Sequence, residues 1–305
     1  MAKPTKPPKD HVYDPGDMAA MAYMTNIDRR HATRTVPLRV LCLGQSGTGT
    51  TSLRQALVDL GYKACYHYAS IIQENPRDAE LWVEALDAKL KGVGKPYGKA
   101  EWDALLGHCQ AVTDTPCTIF YRELLEAYPD AKVILTVRDS ADQWHRSQMN
   151  TIIPYATQIL PSGWIDRIKV LFAPWDSTTV KFAKLIMYHS PIRKELWNDY
   201  HNGTTTAKQA YEDYNAEVQA IVPKENLLVF NVKEGWTPLC KFLGESVPDE
   251  PFPRRNDTAV FAKNTAQLGA WAEDGIRKNM TMVGAGLAAG VGVAIAVFAG
   301  MREWK

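Results

Sequence analysis

No single charge dominates this 305-residue chain: 35 lysines and arginines face 34 acidic residues, a net charge of +1. A broad basic face for nucleic acid is therefore not implied. There is no Cys-x-x-Cys pair. Cys42, Cys65, Cys109, Cys117 and Cys240 are scattered singly, which fits reduced thiols in a cytosol-facing protein better than a disulfide framework. The N-terminus carries no apolar core of a signal peptide, and no internal repeat is evident. One further absence is local. The pattern G-x-x-x-x-G-K-[ST] fits at Gly44 and Gly49, but Thr50 stands where its lysine belongs. That lysine reaches the β- and γ-phosphates of a nucleoside triphosphate, so hydrolysis of ATP or GTP is disfavoured. No acid after a strand suggests a Walker-B site either.

What remains in that region is informative. The apolar run Val40–Leu43 ends in Gly44-Gln45-Ser46-Gly47-Thr48-Gly49-Thr50-Thr51-Ser52 and passes into Leu53–Val58, which has helical spacing. A buried strand feeding a helix through such a loop offers backbone N–H groups and the positive helix end to a phosphate. Glycines there permit positive φ and close backbone approach.

Downstream, apolar strand-like runs alternate with helical ones, as in a parallel sheet with helices on both faces. Strands are predicted at Leu38–Gly44, Tyr62–Tyr66, Ala111–Thr113, Lys132–Val137 and Leu227–Phe230. Helices are predicted at Asp78–Leu90, Trp102–Cys109, Cys117–Ala127, Ser140–Asn150, Thr179–Tyr200 and Thr206–Ile221, the last two as a helical insertion or lid over the sheet edge. The fold class is α/β. Ligands of open sheets bind beyond the strand C-terminal ends, so Gly44, His67, Asp114 and Arg138 should converge. Arg138 leaves a buried strand, with Ser147 further along the next helix. A planar fork of donors and a short hydroxyl together make a phosphate clamp; the plainer alternative pairs Arg138 with Asp139.

The termini differ from this body. Residues 1–35 read as a Lys/Pro-rich and then Met-rich, basic tail. Thr281 to Gly300 contains no charge, and about 20 helical residues span roughly 30 Å of hydrocarbon. Arg277 and Lys278 precede it, and Arg302 and Lys305 follow. Gly286 and Gly290 form a G-x-x-x-G step. The expected organisation is a tail at 1–35, a domain at 36–260, a juxtamembrane helix at 261–280 and a single-pass C-terminal anchor at 281–301. Such a tail anchor leaves the main domain in the cytosol.

Taken together, these segments resemble the sulfotransferases, P-loop proteins that use 3′-phosphoadenosine 5′-phosphosulfate (PAPS). The nearer similarity is to their mostly fungal and invertebrate branch, often labelled as epimerases or dehydratases. The stretches that carry it are Gly44–Leu57, Pro96-Tyr97, Trp102–Leu106, Asp114-Thr115-Pro116, Phe120–Leu124, Tyr128–Asp139, Glu234–Gly244 and Pro248–Asn256. The resemblance implies a three-layer P-loop fold with a central parallel sheet. It implies that Ser46, Gly47, Thr48, Gly49, Thr50, Thr51 and Ser52 hold the 5′-phosphosulfate, while Arg138 and Ser147 bind the 3′-phosphate. It requires no metal. Sulfate would pass to a hydroxyl or amine of a small-molecule or lipid-like acceptor. Aromatic residues Trp164, Phe172, Trp175, Phe182 and Trp197, in the region over the pocket, would favour an apolar one.

The catalytic base remains open between two residues. Asp114 precedes Pro116 by two, the spacing at which a histidine base stands in related enzymes; it could equally cap the helix starting near Pro116. His67 is the second candidate. Two departures from the resemblance stand out. Gly47 occupies the place of a loop arginine usual in this branch, with Arg54, one turn along, as a possible substitute. An extra residue between Arg138 and Ser147 also brings Arg146 into contention. A preorganised cation lost from such a site costs two or three powers of ten in rate, roughly. The alternative to an enzyme is thus a membrane-tethered nucleotide-binding or interaction module of the same fold.

Overall fold

The computed structural model describes residues 24–160 and 177–255, together with 263, 266–267, 269–270 and 273–284. Five strands form one parallel sheet: β1 (Val40–Cys42), β2 (Cys65–Tyr66), β3 (Ala111–Thr113), β4 (Lys132–Thr136) and β5 (Leu227–Phe230), in the spatial order β2-β3-β1-β4-β5. Val40 pairs with Ala111 on one side and with Lys132 on the other, which puts β1 at the centre.

Strand periodicity divides the core in two, because alternate side chains leave opposite faces. Val40, Cys42, Ala111, Ile134 and Phe230 pack with α1 (Thr50–Asp59) and with the helix Trp236–Leu243. Leu41, Leu43, Val112, Val133 and Leu135 face a larger apolar cluster. That cluster includes α2 (Asp78–Lys91), α3 (Lys99–Leu106), α4 (Tyr121–Ala127), α5 (Ala141–Asn150), α6 (Ile152–Ile159), α7 (Ser177–His189), α8 (Pro191–Asn202) and α9 (Thr206–Ile221). The result is a sheet between two helical layers of unequal size.

One helix expected from periodicity is two. Residues 179–200 read as continuous, but α7 stops at His189 and α8 starts at Pro191. Proline has no N–H to donate to the preceding turn, and Ser190 before it takes the extended ψ of 138° that the ring favours. The break matters because it lets α8 approach the sheet separately. Its far end is fixed by Asp199, whose carboxylate accepts from the Thr206 and Ala207 amides at the start of α9 and lies 3.0 Å from His145 Nε2 on α5. Burial opposes ionisation of Asp199, yet bonds from Thr204, Ala207 and Thr206 hold its pKa down to about 2.

Residues 24–35, placed in the tail by sequence, run irregularly along the helical layer. Ile27 N–H donates to Asn75, Arg29 pairs with Asp78 at 3.0 Å and Arg34 pairs with Asp103. Residues 1–23 lie outside the described residues, as do 285–301 of the anchor segment and Trp164, Phe172 and Trp175. Residues 273–284 are helical. Among the described residues, no helix is long and apolar enough to cross a membrane.

Candidate active site

The loop between β1 and α1 lies at the C-terminal edge of the central strand, where an open sheet collects its ligands. Gly49 caps α1 with φ +97°, and an added Cβ there would come within 2.7 Å of Val232. The first-turn amides of Thr50, Thr51 and Ser52 have no intrahelical acceptor, and no acidic residue occupies that turn. Two helices of the larger layer clamp the loop from behind. Trp144 Nε1 and Gln148 Nε2, both on α5, donate to Ser46 O at 3.0 and 2.8 Å. Tyr214 Oη, on α9, donates to Leu43 O at 2.7 Å.

The four strand ends converge as expected. Arg138, two residues beyond β4, donates through Nε to Gly47 O. Asp139 does not pair with it: that carboxylate takes Lys233 and Asn231 instead. An open trench of about 710 Å³ runs along the loop and is lined by Gly47, Gly49, Thr50, Thr51, Ser52, Arg138 and Ser147. Lys233, Arg254 and Arg255 complete its charge, and no acidic side chain is among its described lining residues. The trench therefore fits a ligand with phosphate groups at separate points. Ser147, not the exposed Arg146, faces it. Ser52 has a further task, since its Oγ accepts from the Arg255 amide at 3.0 Å and so ties the chain that follows the helix Trp236–Leu243 to α1.

Two of the loop residues expected to hold the 5′-phosphosulfate lie outside the trench. Thr48 is fully buried, with its hydroxyl on Gln45 O at 2.7 Å and on Thr136 Oγ1 at 2.5 Å, so it shapes the loop. Ser46 points the other way, into a second, smaller cavity of about 90 Å³. This pocket shares Gly47, Thr50, Thr51 and Ile152 with the trench. A nucleotide fits only the larger space. Beyond the shared residues the pocket carries His67, Asp114, Thr115 and Arg193 at its polar end, and Tyr68, Tyr155, Leu160, Ile186 and Met187 at its apolar end.

Asp114 follows β3 with φ +64°, a left-handed conformation that aspartate tolerates better than most residues. The Thr115–Pro116 peptide that follows is cis. No side chain caps the helical turn at Cys117–Phe120, so the capping alternative for Asp114 does not hold. Its Oδ1 accepts from Ser46 Oγ at 2.5 Å, and its Oδ2 lies 3.3 Å from His67 Nε2. His67 Nδ1 accepts from the Ala69 amide at 3.0 Å, which assigns the ring proton to Nε2. Burial pushes the His67 pKa down to about 4, against the pull of the Asp114 charge. The imidazole is thus neutral, and its Nε2–H has Thr50 Oγ1 as hydrogen-bond partner at 3.3 Å, with Asp114 Oδ2 at the same distance beside it. Its free lone pair is already taken by the backbone.

Several residues of the site were not singled out from the sequence, Lys233 of the trench and Tyr68 of the pocket among them, and two others hold the loop. Arg193, on the first turn of α8, is buried and donates to Gln148 Oε1 at 2.7 Å, to Thr115 Oγ1 at 3.4 Å and to Ser46 Oγ. The faint signal was its position between Ile192 and Leu196 on the buried face of an amphipathic helix. Gln148 is the second, fully buried on α5. Arg54, considered as a substitute for a loop cation, is not one. It is buried away from both cavities, where Nε donates to Cys65 O at 2.8 Å and the guanidinium meets Ser70 and Glu74.

Among known proteins, the model of the Sulfotransferase domain matches residues 39–261. The Ava biosynthesis cluster protein M of Aspergillus versicolor is 37% identical over 217 residues, covering 71% of this chain and 80% of that protein.

Proposed function

The chain belongs to the sulfotransferase-domain family, and on that premise we propose that it moves a sulfonyl group from PAPS to a hydroxyl or amine of an apolar small molecule. The observation that carries this reading is the meeting of two cavities at Gly47, Thr50 and Thr51: a basic trench, and a pocket holding an aspartate. When bound, PAPS supplies a sulfur joined to a good leaving group, the 5′-phosphate. The chain's own residues do the rest. Arg138, Ser147 and the basic rim of the trench hold the nucleotide's phosphates, and the first-turn amides of α1 take up charge on the departing phosphate.

Asp114 is the base. It accepts the proton of the acceptor as the new bond to sulfur forms and the sulfur–phosphate oxygen bond breaks, with the electron pair leaving on that oxygen. His67 is a positioning residue, because its neutral ring is bonded to Thr50 of the loop and lies against the second carboxylate oxygen while Ser46 fixes the first. Tyr68, Tyr155, Leu160, Ile186 and Met187 give the acceptor end of the pocket a surface suited to an aromatic or aliphatic molecule. A small-molecule acceptor also accords with a relative named for a biosynthesis cluster. We propose in addition that the uncharged run from Thr281 to Gly300 anchors the protein in a membrane, on the strength of its length and its basic flanks.

The test combines binding and transfer. Adenosine 3′,5′-bisphosphate should bind in preference to ATP, and PAPS with a mixed pool of phenols, alcohols and amines should give sulfated product. Asp114→Asn should keep the bisphosphate affinity and lose about a hundredfold or more of the rate. Preference for ATP, or an unchanged rate in Asp114→Asn, would refute the assignment.

A further inference from the structure

A sulfonyl transfer site gathers negative charge, and fixed cations are the groups that stabilise it best in a dry cavity. The loop itself supplies none. From Gly44 to Ser52 there is no lysine or arginine, and Arg54 is committed to Glu74. Nor is there room for one at Gly47. An added Cβ there would sit 2.1 Å from Gln148 Nε2.

The same Gln148 leads to the cation that is present. Its Oε1 accepts from Arg193 Nη1, and Arg193 Nη2 reaches the loop at Ser46 Oγ. Arg193 as a whole is 5% exposed. Its three hydrogen-bond acceptors are all neutral, and no carboxylate lies within ion-pair distance among the described residues. Asp114 is linked to it only through the Ser46 hydroxyl, which accepts from the arginine and donates to the carboxylate. A buried, always charged group of this kind is costly to keep without an anion. Arg193 lines the small pocket but not the trench. It is therefore placed to meet a group that projects through the junction, and not one confined to the nucleotide side.

We propose that Arg193 is the sulfonate-binding cation of this site, delivered by α8 in place of a charged loop residue. Its fork contacts the non-bridging oxygens of the sulfonyl group while the acceptor atom bonds to sulfur, the bond from sulfur to the phosphate oxygen breaks, and the acceptor's proton passes to Asp114. The inference rests on the sulfotransferase reading and sharpens it: PAPS and adenosine 3′,5′-bisphosphate differ by the one group Arg193 should touch.

Calorimetric titration of the full-length protein with each nucleotide separates the possibilities. Arg193→Gln should lower the affinity for PAPS at least tenfold, about 1.4 kcal/mol, and leave that for the bisphosphate within twofold. Arg193→Lys, which keeps the charge but loses the fork, should fall between. It also serves if the glutamine variant fails to fold. Equal losses for both nucleotides in the lysine and glutamine variants would mean that Arg193 only shapes the loop, and unchanged affinities would mean that it has no part in binding; either overturns the proposal alone. A wild-type protein that binds neither nucleotide would refute the sulfotransferase reading, and this inference with it.

Discussion

Gly47→Arg would place on the loop the side chain that the resemblance leads one to expect there, and the structure says it should damage the protein. Gly47 has φ +80°, where a residue with a Cβ costs about 1–2 kcal/mol. The new Cβ would lie 2.1 Å from Gln148 Nε2, so the amide must leave. It then gives up a bond to Ser46 O at 2.8 Å and one from the Arg193 guanidinium at 2.7 Å. The first is worth about 0.5–1.5 kcal/mol net, and the second, to a charged group, about 1.5–3 kcal/mol. The expected destabilisation is about 3–6 kcal/mol. At roughly 2–4 °C per kcal/mol for a domain of this size, the midpoint of thermal unfolding should fall by at least about 6 °C. Gly47→Ala should share most of that loss, since Cβ and φ are what clash. In a Gln148→Ala background the same substitution should cost measurably less, a coupling of about 1–3 kcal/mol between residues in contact. A Gly47→Arg protein as stable as wild type, or one equally harmed with and without Gln148, would refute the reasoning.

Two further outcomes follow from the charge arrangement and from the C-terminal segment. Burial lowers both His67 and His108 from an ordinary 6.5 to about 4. The folded state keeps them neutral while the unfolded chain protonates them below about 6.5. Their contribution is thus fully present above that pH and is lost as pH falls toward 4, at about 3 kcal/mol for each ring in full. Urea unfolding should give constant stability from pH 8 to 7 and a steep fall between 6.5 and 4.5; a flat profile there would contradict the neutral assignments. For the anchor, carbonate-washed membranes should retain the full-length chain and release a Leu287→Glu, Val291→Glu variant; release of both would end the membrane proposal.

The sheet was legible because its strands are short apolar runs, buried on both faces except at the edge strand β5, where Val229 is exposed, a pattern that needs no knowledge of partners. β3 and β5 begin and end where the sequence places them, and the ends of β1, β2, β3 and β4 bring together the loop, His67, Asp114 and Arg138 as predicted. Helical periodicity was less decisive. The spacing of apolar residues runs on through Ser190 and Pro191, and only the backbone consequence of the proline divides α7 from α8. Hydroxyls in the loop could not be told apart either. Ser46, Thr48 and Thr50 are equivalent as letters, yet one bridges a carboxylate and a guanidinium, one is sealed against Thr136 and one faces both cavities.

Arg193 shows why such a residue escapes a reading of local pattern. Within its own helix it is one charge among Arg193-Lys194-Glu195, and the rules that judge a helical charge look three or four residues away. Its actual partners are 45, 78 and 147 positions distant. They are assembled only after β1, β3 and α5 have met and α8 has turned inward at Pro191. The loop that gained this distant partner also lost the space for a local one, because Gln148 fills the volume over Gly47 and holds the arginine with the same amide group. Absence of a charge at Gly47 and presence of one at Arg193 are therefore a single packing solution. Each half is unremarkable alone, and the pairing becomes visible only where the glutamine touches both.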